Sequence, residues 1–322
     1  MHLVIPFAAA GPDDEAALQA QRSLDLPVLR TLLARLLPVP PEDDLRGDVR
    51  TDLRADPRSW SAPHERVLAR ALGWTGADGA LPFAAWQAAA DGVDVGELAW
   101  GLLSPAHWHL GTEQVSLIDP AALMLDEAAS RALFDAVLPL FTEDGWQLHW
   151  AAPLRWYAAH ESLTGLRSAS LDRVVGRNVD AWLGSDPAAR HVRRLQAEVQ
   201  MLLHTHPLNA AREARSLLPV NSFWLSGCGV AQPVTGALPT MDTRLRSPAL
   251  AADWAAWVKA WDTLDAGPLA QALAQVQRGA PLRLTLCGER EAADFASADG
   301  GVLQRLRSWW RRPDPQAVLE AL

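Results

Sequence analysis

The run from His204 to Pro233, HTHPLNAAREARSLLPVNSFWLSGCGVAQP, constrains the fold more than any other part of the chain. It predicts a helix opening at Pro207, where a missing N–H costs nothing, and closing at Leu217 and Leu218. A strand over Pro219–Leu225 follows, carrying Val220, Phe223, Trp224 and Leu225, and Gly227-Cys228-Gly229 ends it. Asn209, Arg212 and Ser216 fall at i, i+3 and i+7 on one helix face. The run is also chemically loaded. A guanidinium, an amide side chain and a glycine-loosened turn, from Arg212, Asn209, Gly227 and Gly229, make a plausible anion cradle. The plain reading beside it leaves the arginines solvated and lets the glycines merely turn the chain.

Apolar periodicity places the other elements. Leu3–Phe7 reads as a buried strand, Leu26–Leu37 as a helix, and 38–60, rich in Asp, Arg and Pro, as a loop. Helices are expected from Ser61 to Gly73, then over 82–90, 126–141, 187–204, 249–264 and 268–278, with a last one from Val302. Strands are expected at Leu98–Leu103, Ala106–Leu110, Val115–Ile118, Trp146–Ala151, Arg155–Ala158 and Leu282–Cys287. The expected class is α/β, or α+β, with a mixed sheet and flanking helices. The expected division is one domain over 1–235 and a mostly helical lobe over 236–322.

Fifteen tryptophans against one tyrosine stand out, but Trp254, Trp257 and Trp261 at i, i+3 and i+7 form a buried helix stripe. A net charge of −9 argues against direct nucleic-acid binding, which needs a basic face to displace counterions. Arg190, Arg193 and Arg194 form a local basic patch on one helix, and Arg305, Arg307, Arg311 and Arg312 surround Trp309-Trp310; both read as solvated charge. Cys228 and Cys287, in no C-x-x-C, are expected as buried thiols. No apolar run reaches the length of a membrane span, and the first residues lack a signal-peptide pattern, so a cytoplasmic location is expected. His107 and His109 would share a strand face and are the weak alternative for a metal site; structural histidines are the preferred reading, with no metal and no cofactor.

The spacing His206-Pro207-x-Asn209-x-x-Arg212, then Pro219-x-Asn221-x-x-Trp224-x-x-Gly227-x-Gly229, resembles a signature of archaeal-type, cofactor-independent phosphoglycerate mutases. Looser similarity runs back through Trp146–Ala158 and the acidic helix Asp126–Phe141 to Val95, and so covers 95–233, the counterpart of that family's substrate-side insert. The segments MHLVIPFA, LPFAA, DVGELAWGLLSPAHWHLG, LDEAASRALFDAV and LTLCGERE resemble the RpfE-type regulatory proteins more closely still; these are bacterial relatives often labelled phosphoglycerate mutase.

The resemblance implies a degenerate alkaline-phosphatase/phosphoglycerate-mutase-like fold. Those mutases pass a phosphoryl group through a serine beside paired divalent metals, which needs an Asp-Gly after the first strand, a D-x-x-x-H and an Asp-His pair. Here the first strand runs into Pro6-Phe7-Ala8, and no Asp-His dipeptide occurs. The expectation is therefore a non-catalytic binding or regulatory relative that recognises a small phosphorylated or carboxylated metabolite. On this view His206, Asn209, Arg212, Asn221 and the Gly227–Gly229 turn are a retained pocket or a retained framework, to which Arg155, Arg173 and Arg177 would add positive charge. Two alternatives stand beside it. One is an active metal-dependent mutase or phosphohydrolase with rearranged ligands. The other, implied by the RpfE-type likeness, is a protein-interaction module linked to DNA maintenance through a protein partner.

Overall fold

The computed structural model describes residues 1–11, 14–40, 59–112, 114–184, 187–297 and 313–322. The chain opens with β1 (His2–Ile5), α1 (Glu15–Arg22), α2 (Pro27–Leu33), β2 (Leu36–Val39), α3 (Pro63–Leu72) and α4 (Phe83–Ala90). It continues with β3 (Ala99–Ala106), β4 (Trp108–Leu110), β5 (Val115–Leu117), α5 (Glu127–Glu143), β6 (Gln147–Ala152) and β7 (Arg155–Ala159). Then come α6 (Leu171–Val174), α7 (Pro187–His204), α8 (Pro207–Glu213), β8 (Ser222–Val230) and β9 (Thr240–Met241). The last elements are α9 (Arg246–Leu250), α10 (Trp254–Leu264), α11 (Ala270–Gln277), β10 (Arg283–Cys287), β11 (Ala292–Ser297) and α12 (Pro315–Glu320).

These elements sort into two units: Met1–Pro57 with Ala62–Gly73 and Thr235–Leu322, and Arg58–Ser61 with Trp74–Val234. Residues 1–235 are thus not one domain, and β1 supplies the reason. It runs parallel between β9 and β10, so the first strand is completed only by residues from beyond 235.

In the first unit the sheet order is β2-β11-β10-β1-β9, with antiparallel pairing at β10–β11 and β11–β2, which makes the sheet mixed. Side chains alternate across β1. Leu3 and Ile5 enter a core with Leu29, Leu32, Leu284, Leu286, Trp257 and Trp261, while Val4 packs with Val67 and Cys287. The tryptophan stripe of α10 is therefore core packing. Helix α2 has no capping side chain of its own at Leu26. Asp265 supplies the acceptor instead, taking Val28 N at 3.0 Å and Leu29 N at 2.8 Å from a π-turn over Asp265–Leu269. At the other end of the sheet His2 Nε2 bonds Thr285 Oγ1 at 2.8 Å, and Thr285 donates onward to Asp294. Burial, then the charge of Arg283, lowers the His2 pKa to about 4.

Several sequence expectations need correcting here. The helix expected over 26–37 stops at Leu33, and Leu36–Val39 pairs with β11 as an edge strand. The helix expected over 249–264 breaks at Ala252, whose φ is +51°. Strands β9 and β11 were not anticipated, because each is short or alanine-rich. The helix from Val302, the arginine-rich tail and most of the 38–60 loop lie outside the described residues.

The second unit carries an antiparallel sheet, β6-β7-β3-β8, and a separate β4–β5 hairpin. One sheet face presents Leu103, Trp156, Ala158, Phe223 and Leu225 to the apolar stripes of α5 and α7. Each of Leu133, Val137 and Phe141 on α5 is buried there, contributing roughly 1.5–3 kcal/mol. Asp126 starts that helix by accepting Ala129 N at 2.8 Å. The other face, with Trp100, Tyr157 and Ala159, takes the small side chains Ala84, Ala85 and Ala88 of α4. The chain is thus α/β with a mixed sheet and flanking helices. Among the described residues no helix is long and apolar enough to cross a membrane.

Candidate functional site

The residues expected to form an anion cradle are mostly spent on the fold. Helix α8 ends at Glu213, and Ser216 follows with a φ of +56°, so Ser216 does not share a helix face with Asn209 and Arg212. His206 is the N-cap of α8, its Nδ1 accepting Leu208 N at 3.3 Å. Asn209 is buried and saturated: Nδ2 donates to Leu203 O (2.9 Å) and Val220 O (2.7 Å), and Oδ1 accepts Val220 N (2.9 Å). Arg212, also buried, donates through Nε to Leu218 O at 2.9 Å and through Nη2 to Leu123 O. Burial pulls its pKa below the ordinary arginine value. Asn221 imitates a strand neighbour of Trp108, accepting its N–H at 2.7 Å and donating to its carbonyl at 2.9 Å.

The glycine pair does not end the strand. Gly227 and Cys228 face the single residue Gly101 where the β3–β8 register shifts, so they form a bulge within β8. A Cβ on Gly227, whose φ is +64°, would lie 3.1 Å from both Ala84 N and Phe83 Cβ. One on Gly229 would lie 3.0 Å from Pro82 Cβ. These glycines allow the close approach of β8 to the start of α4. Cys228 between them is fully buried, and desolvation pushes its thiol up to about 12, so it is no nucleophile near neutral pH.

The outlying arginines do not converge on this region either. Arg155 grips Asp91 with two bonds, 2.8 Å from Nε and 3.0 Å from Nη2. The Tyr157 hydroxyl also donates to Asp91 at 2.6 Å and, ahead of Arg155, holds that carboxyl below its usual range. Arg173 is buried, bonds Ser59 O at 2.9 Å and lies 5.3 Å over the Trp182 ring. Arg177 follows α6, and its carbonyl accepts Leu117 N at 3.4 Å. His107 Nδ1 meets Pro219 O at 2.8 Å, and the His107 and His109 rings are 6.3 Å apart. Among the described residues no group of three or more His, Cys, Asp or Glu side chains is placed to hold a metal ion.

Two concavities flank α7. At its C-terminal end an open recess of about 670 Å³ is lined by Trp108, Val115, Gln200, Met201, His204 and Asn221. Of the cradle residues, only Asn221 reaches it. Nearer the N-terminal end is a tighter pocket of about 30 Å³. Its walls are 166–169, 182–184, Ala189, Val192, Arg193 and Gln196 of α7, and Trp224 and Leu225 of β8. Trp224 is pinned there by its Nε1–H bond to Ala169 O at 2.9 Å.

The polar groups of this pocket are not spent. Gln196 is buried, and its Nε2 donates to Phe223 O at 3.3 Å, yet Oε1 meets no donor. Arg193, half-buried and three residues earlier, makes no hydrogen bond or ion pair among the described residues. The basic patch expected on this helix is therefore divided. Arg194 is engaged by Asp144 and by Glu198 at 3.8 Å, while Arg193 faces the pocket.

Sequence reasoning passed over Gln196, although a signal was present. The buried stripe of α7 runs Ala189, Val192, Gln196, Val199, Leu203, and a glutamine at one position of an otherwise apolar seam asks for a partner.

No family model matches the chain, and no curated protein does. Among solved structures it is similar to a cofactor-independent phosphoglycerate mutase from Thermoplasma acidophilum DSM 1728, at 15% identity and a TM-score of 0.36, covering 100% of this chain and 98% of that one. It is also similar to the PH0037 protein from Pyrococcus horikoshii, at 12% identity and a TM-score of 0.45, covering 98% and 91%. At such scores neither likeness bears on the chemistry of this chain.

Proposed function

We propose that this protein is a non-catalytic binding or regulatory protein, related to the phosphoglycerate mutases and to the RpfE-type proteins, that takes a small carboxylated or phosphorylated metabolite in the pocket beside α7. One observation carries the reading: Arg193, which has no acid partner among the described residues, and Gln196, at i and i+3 of one helix, line the same pocket. Ligand pockets are mostly apolar with a few placed polar groups, and a guanidinium left unpaired at a pocket wall suits a carboxylate or phosphate. The sequence supports the non-catalytic part, because the departures from the mutase pattern fall where that family holds its metals. On this reading 95–233 is the retained substrate-side portion of the ancestral fold, lying inside the 74–234 unit.

The test is a thermal-shift series on the full chain with small carboxylates and phosphates. Saturable stabilisation, about 2.7 kcal/mol at a hundredfold excess over Kd, is expected from a ligand of this class. Arg193→Gln should abolish it. A coupled assay with phosphoglycerate and added manganese probes the other half, and turnover would defeat the non-catalytic assignment.

A further inference from the structure

We infer that His160, His191, Asp144 and Arg194 form a proton-sensitive clasp, which fastens the first half of α7 to the end of α5 while both histidines are neutral and loosens it when they are charged.

Three stretches of chain meet at Trp146, which is buried and packs on Phe141 of α5. The His160 ring, just past β7, stacks flat on the Trp146 ring, with 4.7 Å between centroids and 8° between planes. The His191 ring, from α7, meets Trp146 edge-on at 5.5 Å and lies 5.7 Å from the His160 ring. Two imidazoles from different elements thus share one aromatic wall. Asp144, the residue that ends α5, closes the group by reaching both His191 and Arg194 of α7.

Hydrogen bonding ties the closed arrangement to neutral rings. His160 Nδ1 accepts the Ser162 backbone N–H at 3.1 Å and lies 2.8 Å from Ser162 Oγ. Its lone pair is in use, and a proton placed there uncaps the turn over Glu161–Leu163. His191 Nε2 lies 3.2 Å from Arg194 Nη2 and 3.2 Å from Asp144 Oδ2. An arginine only donates and a carboxylate only accepts, so one ring nitrogen cannot serve both. When neutral, His191 accepts from Arg194, which also donates to Asp144, and the three side chains close a ring. When protonated, Nε2 donates to Asp144 and sets its charge against Arg194.

Counting charge shows what acid does. With both rings protonated, His160, His191 and Arg194 crowd around one inner carboxylate. Glu161, beside His160, and Glu198, 3.8 Å from Arg194, stand at the rim. Asp144 stays ionised, because His191 and then Arg194 hold its carboxyl below the usual range. Burial, and then His191, lower the His160 pKa from 6.5. Closed packing therefore resists a proton that the unfolded chain takes up. Its contribution is whole above pH 6.5 and is lost as the pH falls through the lower folded value. Two of the three cations ride on α7, so the repulsion falls there. The clasp needs no ligand, and its failure would leave the binding reading untouched.

Hydrogen exchange on the full chain, corrected for the intrinsic rate at each pH, reads this seam. From about pH 8 to about pH 5, protection of α7 is expected to fall about tenfold more than that of β3, an interior strand of the same unit. His160→Asn keeps an acceptor for the Ser162 N–H and His191→Gln keeps the reach to Asp144, yet neither side chain titrates. The double variant should hold α7 protection level across that range. Should it fail to fold, His191→Gln alone should shrink the fall, and the contrast of α7 with β3 in the unaltered protein still decides. Equal losses in α7 and β3, or a fall that persists in the double variant, overturn the clasp. So does protection of α7 that rises in acid, because the His191–Asp144 pair would then be tightening the seam.

Discussion

Arg212 and Arg193 carry the same side chain on successive helices and meet opposite fates. Arg212 lies in the run that looks most like a recognition motif, and it is buried with donors given to the carbonyls of Leu218 and Leu123. Arg193 lies in a basic patch that reads in sequence as solvated charge, and it has no partner among the described residues. Asn209 and Gln196 repeat the contrast as amides: Asn209 satisfies three bonds to backbone groups, while Gln196 makes one and leaves its oxygen open. A motif records which residue types are present. The state of their hydrogen bonds separates framework from site.

The comparison breaks most visibly at Asn209. Asn209→Leu strands the carbonyls of Leu203 and Val220 and the Val220 N–H in a dry interior, and should cost about 3–4 kcal/mol in urea unfolding. A loss below about 1 kcal/mol would show the framework reading to be mistaken. Gly227→Ala comes next, at about 2 kcal/mol, because a Cβ is forced to a φ of +64° and to 3.1 Å from the start of α4. If the glycine instead served an anion, the alanine variant would keep its stability and lose only ligand binding.

A titration sharpens the contrast in the first unit, where a polar group is satisfied as a neutral species. His2 has its pKa lowered from 6.5 to about 4 by burial and by Arg283, with Asp294 opposing and the N-terminus and Arg70 adding. The folded state therefore resists a proton that the unfolded chain accepts. Its contribution is complete above pH 6.5 and drains away as the pH falls toward 4. The loss is about 2 kcal/mol after allowance for solvent screening. His2→Gln should flatten the stability profile between those pH values; an unchanged slope would remove His2 as its source. The smallest effect is at Arg193, where Arg193→Gln should shift unliganded stability by less than about 0.5 kcal/mol.

Much of the architecture was legible because long amphipathic stripes leave a strong signal. Helix α7, with Val192, Leu195 and Val199 inward, follows from spacing alone, as does the tryptophan stripe of α10. Leu36–Val39 was not legible, because LLPV continues the apolar text of α2 and only its partner β11 makes it a strand. The parallel placement of β1 between β9 and β10 was equally hidden, since no local pattern encodes pairing across more than two hundred residues. At the site the chemical types were legible, and the hydrogen bonds they make were not. Whether Arg212 faces a ligand or a carbonyl is settled by where Leu123 and Leu218 arrive, and that information is not in the helix itself.

The sandwiching of β1 has a consequence for biosynthesis. Translation makes this strand hundreds of codons ahead of the two that flank it, so its backbone edges stay unpaired and its apolar faces uncovered while Trp74–Val234 is being made. That intervening stretch is contiguous and can close its own sheet first. A chaperone that shelters nascent hydrophobic strands should hold this polypeptide at β1, and let go only after Cys287 has left the ribosome.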